Sequence, residues 1–317
     1  DSLALSAWKR YGESRWSLRV NPSSGNLHPT EGYVVSAAID GVCEHAFVAH
    51  YAPREHALEI RARIPDEVWS ELARGLPHGA LFVGFTSIHW REAWKYGERA
   101  FRYCQHDVGH ALGALAVAAA GLGWSTRACD ELGSEELGAL LGVAMQRGPD
   151  AEHVDVLVAV APRALDVSAA PTGAALAACS SLSFVGFPNE LSSSYVEWDA
   201  IESAAQATRK SRTSSVDVAR VAAAEFDGYG ALALREIVRG RRSAVALDSR
   251  ITMTRDAFLR TLRRTLVGVG GVAHDVLPWE PLVDLVVHVH RVEGVEPGLY
   301  VLPRGGRRVE HLRSKLR

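Results

Sequence analysis

Between Leu18 and Glu31 regular structure is blocked from several directions at once. Pro22 fixes one φ, Gly25 accepts φ > 0, Pro29 forbids a helix from continuing, and Ser23 and Ser24 can hydrogen-bond nearby backbone. The outcome is an ordered loop rich in donors. An apolar run, Gly32 to Ile39, follows at once and reads as a buried strand, so the loop stands at the end of a sheet, where scaffolds present binding groups. A well-capped turn before a strand is the alternative reading of the same residues.

Asp40-Gly41 closes that strand in a hairpin, and Ala46 to Tyr51 returns beside it. A further strand is expected over Ala57 to Ala62. Pro65-Asp66-Glu67 opens a helix with acidic residues in its first turn, ending near Arg74 ahead of Gly75. Leu81 to Thr86 reads as a short strand and Leu3 to Arg10 as the end of a helix, with Trp16 to Val20 leading into the loop. From Cys104 to Ala120, small residues at Gly109, Ala111, Gly113, Ala114, Ala116 and Ala118 describe a buried central helix stopped by Gly121-Leu122-Gly123. Glu135 to Leu141 is expected as a helix and Val154 to Ala161 as a strand closed by Pro162. Arg163 to Phe187 has no period and reads as a connector; Val196 to Thr208 and Val216 to Glu225 read as helices.

A weaker unit follows, with helices over Leu232 to Arg239 and Thr254 to Leu266, the second capped by Thr252 or Thr254. Leu285 to Arg291, Glu293-Gly294-Val295, Gly298 to Arg304 and Val309 to Leu312 then repeat the order of Tyr33 to Ile39, Asp40-Gly41-Val42, Phe47 to Arg54 and His56-Ala57-Leu58, which reads as an internal duplication. The copy holds no counterpart of the long helix before Arg317. The expected division is residues 1–165 as a first unit, 166–195 as a linker and 196–317 as a partial second unit.

The 317 residues, 47% of them apolar and 23% charged, make a globular chain, and a net charge of -2 gives no broad basic surface for nucleic acid or membranes. Cys43, Cys104, Cys129 and Cys179 are scattered without a C-x-x-C, which argues against a disulfide framework and for the cytoplasm or another reducing compartment. No apolar segment reaches membrane-spanning length. The first residue is Asp1 rather than Met, read as a trimmed or processed start, which leaves organellar import open.

The loop Pro22-Ser23-Ser24-Gly25-Asn26 with Pro29 resembles the flavin-contacting Pro-Ser-x-Gly-Asn-x-x-Pro loop of the FMN-dependent nitroreductase superfamily. Lys95-Tyr96-Gly97-Glu98-Arg99-Ala100-Phe101-Arg102-Tyr103, followed by Gly109-His110 and Leu122-Gly123, resembles the matching block of its tandem azoline-oxidase-like (SagB-type dehydrogenase) branch. The resemblance implies an α+β nitroreductase-like fold, with a mixed sheet flanked by helices. It also implies tandem duplicated units forming an internal pseudo-dimer around one FMN, the second unit being incomplete. Pro22, Ser23, Ser24, Gly25 and Asn26 are carried over as flavin-ring and ribityl contacts, with Arg19 at the pyrimidine edge. Gly240-Arg241-Arg242-Ser243 resembles the family's Arg-x-Ser phosphate signature, Arg241 and Ser243 being donors to phosphate and Arg242 an auxiliary. A solvated basic helix end, with Arg235, Arg239 and Arg250 nearby, is the alternative there.

Three positions depart from the family pattern. His28-Pro29-Thr30 stands where Gln-Pro-Trp is common, Gly113-Ala114 where the long helix carries Gln-Asn, and Val245 where a second basic residue follows the phosphate serine. Lys95 and Tyr96 are similar to the pair that azoline oxidases use for proton removal, and the expectation is that the ammonium lowers the phenol pKa and makes Tyr96 a base. A simple interfacial anchor is the alternative. His106 and His110 have the i, i+4 spacing of zinc sites, but Asp107 replaces the usual Glu and a third ligand is missing, so helix packing is expected and no metal. The function expected is FMN-dependent oxidoreduction, with NAD(P)H as an electron donor and a small-molecule or peptide substrate. The alternatives are azoline oxidation of a modified peptide, and a non-catalytic subunit of a larger complex; a homo-oligomer is a further expectation.

Overall fold

The computed structural model describes residues 3–165, 170–188, 190–191, 193–216, 233–244, 246–266, 272–304 and 314–315. Most of the helix expected over Val216 to Glu225, the start of that at Leu232, the family departure at Val245 and the repeat segment Val309 to Leu312 lie outside the described residues. Packing divides the chain into Asp1–Val216 and Asp217–Arg317.

The first unit opens with β1 (Leu5–Tyr11) and β2 (Ser14–Arg19), paired antiparallel with Tyr11 opposite Ser14. The helix end expected at Leu3 to Arg10 is therefore a hairpin arm. Cross-strand contacts override local propensity here, among them the Arg15 guanidinium, 4.1 Å from the Trp8 ring centroid. Next come β3 (Thr30–Ser36), β4 (Ala46–Ala52), β5 (Ala57–Ile64), α1 (Asp66–Leu72), β6 (Leu81–Ser87), α2 (His89–Tyr96) and α3 (Ala100–Gly121). They are followed by β7 (Ser125–Ala128), α4 (Ser134–Leu141), β8 (His153–Ala161), α5 (Gly173–Cys179) and α6 (Asp199–Ala207).

Six of these strands form one sheet in the order β5-β4-β3-β6-β8-β7. Every described ladder in it is antiparallel. The connections explain why. Hairpins join β3 to β4 and β4 to β5, and the longer excursions through α1 and through α2 to α4 bring the chain back antiparallel to a strand already in place.

Val35, Val48, Phe82 and Leu157 from the sheet, with Leu140 and Leu141 from α4, are almost wholly buried in the main core. Each is worth about 1.5–3 kcal/mol in apolar burial. A second cluster joins Ile88, Trp90 and Ala93 of the α2 end to Ala100 and to Ile201 of α6.

The connector expected over residues 163–187 is part of the first unit, because Ala175, Leu176 and Cys179 of α5 enter the main core. Residues beyond it are fastened to α4. Ser134 N–H donates to Lys210 O (2.8 Å), the Lys210 ammonium to the carbonyls of Glu131 (3.2 Å) and Leu132 (3.1 Å), and Arg212 Nε to Glu136 (2.8 Å). Thr213 N–H donates to Glu131 O (2.9 Å) and Val216 N–H to the Asp130 carboxylate (2.7 Å). Packing thus keeps these residues with the first unit, up to Val216.

The second unit contains α7 (Leu234–Gly240), α8 (Arg255–Arg263) and an antiparallel hairpin of β9 (Leu285–Val289) and β10 (Gly298–Leu302). Thr254 caps α8, its hydroxyl accepting from Ala257 N–H at 3.3 Å. No described helix is long and apolar enough to cross a membrane.

Candidate functional site

The Pro22–His28 loop is held mostly by its own groups. His28 N–H donates to Ser23 Oγ (2.8 Å), Asn26 N–H to Ser23 O (3.1 Å) and Asn26 Nδ2 to Ser17 O (2.9 Å) on β2. Asn26 and His28 both take positive φ, 62° and 53°, which Asn tolerates well and which compresses the bend. Burial, with Arg19 and Arg91 nearby, pushes the His28 imidazole down to about 3, so it is neutral at physiological pH. Its Nε2 lies 3.0 Å from Asn26 Oδ1, the acceptor end of an amide whose nitrogen is already donating to Ser17.

The helices supply the other wall. Ser24 N–H donates to Asp107 Oδ1 of α3 at 3.2 Å. Gly25 has φ +60, and a Cβ there would stand 2.8 Å from Tyr96 Oη and 3.0 Å from Lys95 Nζ, so only glycine allows this approach. The loop and the Lys95-Tyr96 pair therefore meet. Past Tyr96 the backbone breaks at Gly97 (φ 55, ψ -137), beneath the Trp198 ring, before α3 begins.

Beneath the meeting point lie two carboxyl groups, Glu92 and Asp107, each 0% exposed. Both Glu92 oxygens and Asp107 Oδ2 lack a hydrogen-bond partner. Burial, then the proximity of Asp107, raises Glu92 to about 8 against the opposing pull of Lys95. The Tyr96 hydroxyl is also raised, by burial first and then by Glu92, Tyr103 and Asp107, with Arg99 opposing. This corrects the expectation of a phenol lowered by Lys95, whose ammonium lies 5.9 Å from the Tyr96 ring centroid: burial first, and then the neighbouring acids, raise it instead.

A cleft of about 750 Å³ adjoins the loop, lined by Arg19, Leu27, Glu31, His50, Trp90 and Arg91 among others. Arg91 pairs with Glu31 and donates to His28 O at 3.2 Å. His50 bridges Glu31 (2.8 Å) and Glu59 (2.7 Å) across three neighbouring strands. Burial would raise Glu31, but the hydrogen bond from His50 and the charge of Arg91 hold it at about 2. Arg19 carries a buried Nη1 with no partner, and burial lowers its pKa despite Glu31. None of Glu31, His50, Arg91, Glu92 and Asp107 was singled out from the sequence as a site residue. The available signal was a charged residue inside each otherwise apolar strand or helix face.

Among the described residues no group of three or more His, Cys, Asp or Glu side chains converges as a metal site. His110 Nδ1 lies 3.8 Å from Asp107 Oδ1, and Tyr103 packs against the His106 ring. No disulfide joins the four cysteines, and burial pushes the Cys129 thiol up to about 12 and that of Cys179 to about 11. In the second unit Arg241, Arg242 and Ser243 follow α7 and are exposed, with Arg242 Nη1 donating to the carbonyls of Arg239 (2.8 Å) and Arg241 (2.5 Å).

The sequence model of the nitroreductase family matches residues 9–177, which takes in the loop, the sheet, α2 and α3. The chain belongs to the nitroreductase family. Its α+β architecture is shared with a solved structure assigned as a nitroreductase from Anabaena variabilis, at a TM-score of 0.66 and 20% identity over 95% of this chain and 63% of that one. The nitroreductase-family chain thus spans about 63% of the length of that neighbour. A component of the E. coli microcin synthetase McbBCD complex with truncated pro-MccB17 bound gives a TM-score of 0.38 at 19% identity, over 52% of this chain and 62% of that one. A protein assigned as a nitroreductase from Ralstonia eutropha gives 0.34 at 16%, over 47% and 64%. No curated protein matches the chain.

Proposed function

We propose that this nitroreductase-family chain is an FMN-dependent oxidoreductase that reduces an unsaturated or nitro-type acceptor, with a reduced nicotinamide as electron donor. The observation that carries the reading is the approach of Gly25 to Lys95 Nζ and Tyr96 Oη, beside a cleft into which Arg19 brings a buried, unpartnered donor. These residues fit a flavin: a tight glycine bend, a guanidinium for the electron-rich pyrimidine edge, and a proton-bearing hydroxyl against the bend. FMN, when bound, supplies hydride acceptance and donation at N5.

The chain's own residues do the rest. Ser23, Ser24, Gly25 and Asn26, with Pro22 fixing their entry, form the ring-facing bend, and Arg19 donates to the pyrimidine edge. Arg241 and Ser243 are assigned as donors to the phosphate, with Arg242 auxiliary. Tyr96, whose hydroxyl is raised by burial first, has a proton to give from Oη, and Lys95 beside it neutralises the phenolate this leaves. That favours protonation of an acceptor over removal of a proton from a substrate.

A second reading keeps Lys95 and Tyr96 as an azoline-oxidising pair acting on a modified peptide, favoured by their placement on the loop. A third, a non-catalytic subunit of a larger complex, is favoured by Gly113-Ala114 on α3. Spectra separate the first from the third. The purified chain mixed with FMN is expected to retain a flavin absorbance that a reduced nicotinamide bleaches and a nitroaromatic restores. A chain that neither carries nor takes up FMN overturns the enzyme readings. Turnover of an azoline peptide without a nicotinamide would favour the second.

A further inference from the structure

Glu92 shares this site with the loop and the Lys95-Tyr96 pair. It sits on α2 three positions before Lys95 and four before Tyr96, so all three project from neighbouring turns. It is 0% exposed, and neither of its oxygens meets a donor. A carboxylate so enclosed would cost several kcal/mol, whereas a carboxylic acid costs far less. Asp107, from α3, is equally buried but receives the Ser24 amide on Oδ1. The two carboxyls are close enough to act on each other and on Tyr96.

We propose that Glu92 is a positioning residue for the loop and the Lys95-Tyr96 pair: enclosed without a donor on either oxygen, it stays an uncharged acid behind Asp107, whose Oδ1 holds the Ser24 amide. The inference rests on the reading of this site as flavin-binding only for its second readout below. Loss of the Glu92 proton to solvent would put a negative charge beside the Asp107 carboxyl, with no donor to receive it. Repulsion between the two would drive Asp107 away from Ser24 and loosen the bend from the helices. The other groups facing the pair are Arg99 in the turn after α2, Tyr103, Cys104 and His110 on α3, and Asp155 of β8, felt through Cys104. Lys95 on α2 opposes negative charge on Glu92, and Arg99 opposes it on Tyr96. Burial and Asp107 together place the midpoint of this proton loss at about 8.

Infrared difference titration of the full chain with ¹³C-carboxyl glutamate, without added FMN, tests the ionisation directly. A protonated glutamate C=O band is expected at neutral pH, bleaching as pH rises through about 8 and missing in Glu92→Gln. Absence of any glutamate carboxyl band between neutral and alkaline pH in the wild type overturns the proposal, whether or not the variant folds. The second readout is FMN affinity against pH. Above that midpoint the wild type is expected to lose about tenfold per pH unit while Glu92→Gln loses less than about twofold. Equal losses in both overturn the positioning role. A chain that binds no FMN at any pH removes the flavin reading and leaves the infrared result standing.

Discussion

Ser24 gives its amide hydrogen to Asp107 Oδ1 at 3.2 Å, across 83 positions of sequence. This bond ties a family-signature loop to the middle of the long helix, and the pairing orients Gly25 onto Tyr96 and Lys95. Loop and helix are consequently one element for the purposes of substitution, and each prediction below perturbs a different edge of it.

Gly25→Ala is expected to destabilise the first unit by about 1–2 kcal/mol, since an L-residue pays that much for left-handed backbone. The added methyl would also displace Tyr96 Oη, 2.8 Å from its place. Urea unfolding measures the first effect, and FMN retention the second. A variant as stable as the parent, with FMN affinity unchanged, would contradict the packing described.

Tyr96→Phe removes the proposed proton donor while keeping the ring against Tyr103, 4.5 Å away. Turnover with a nitroaromatic is expected to drop by about 10²-fold or more at unchanged FMN occupancy, the usual scale for a general acid. Undiminished turnover would leave Tyr96 as a packing residue.

The Glu31 carboxyl is held at about 2, below its ordinary 4.5. A group depressed on folding contributes stability that is complete above the ordinary value and is lost as pH falls from 4.5 toward 2. For a buried group shifted this far the contribution is about 3 kcal/mol. Glu31→Gln should therefore flatten the acid limb of the stability curve between those values. His50 works in the opposite sense: burial lowers its pKa, yet Glu31 raises it on balance, so its share is present below 6.5 and lost as pH rises past its elevated value. Denaturation midpoints measured across acid and neutral pH check both signs.

Arg241→Ala is expected to weaken FMN binding by about 10- to 100-fold, the range for losing a charge-assisted hydrogen bond to phosphate, with thermal stability unchanged because the side chain is exposed. Equilibrium dialysis with FMN gives the ratio. Riboflavin, which lacks the phosphate, should bind wild type and variant alike.

The strands with continuous apolar runs, β3, β4, β6 and β8, were legible because burial on both faces leaves little choice of residue. β1 was not: Trp8, Lys9 and Arg10 carry no burial signal, and only the partner strand makes them extended. β7 is just Ser125–Ala128, too short to show a period, and α5 hid in an Ala-rich stretch whose inward residues are Ala175, Leu176 and Cys179. For the site, the loop and the Lys95-Tyr96 pair could be read because glycine and proline restrict the backbone locally. The Glu31–His50–Glu59 bridge and the Glu92–Asp107 pair could not, since they depend on strand register and on how two helices cross.

The stretch from Lys210 to Val216 adds no strand and little apolar surface, yet it is riveted to α4 and the turn before it by side chains and backbone alike. Tension arriving from the C-terminal part of the polypeptide would therefore load Asp130, Glu131 and Glu136 first. The ladders of the sheet and the bend at Gly25 lie behind that anchorage, so a pull on the later residues meets these bonds before it reaches the loop.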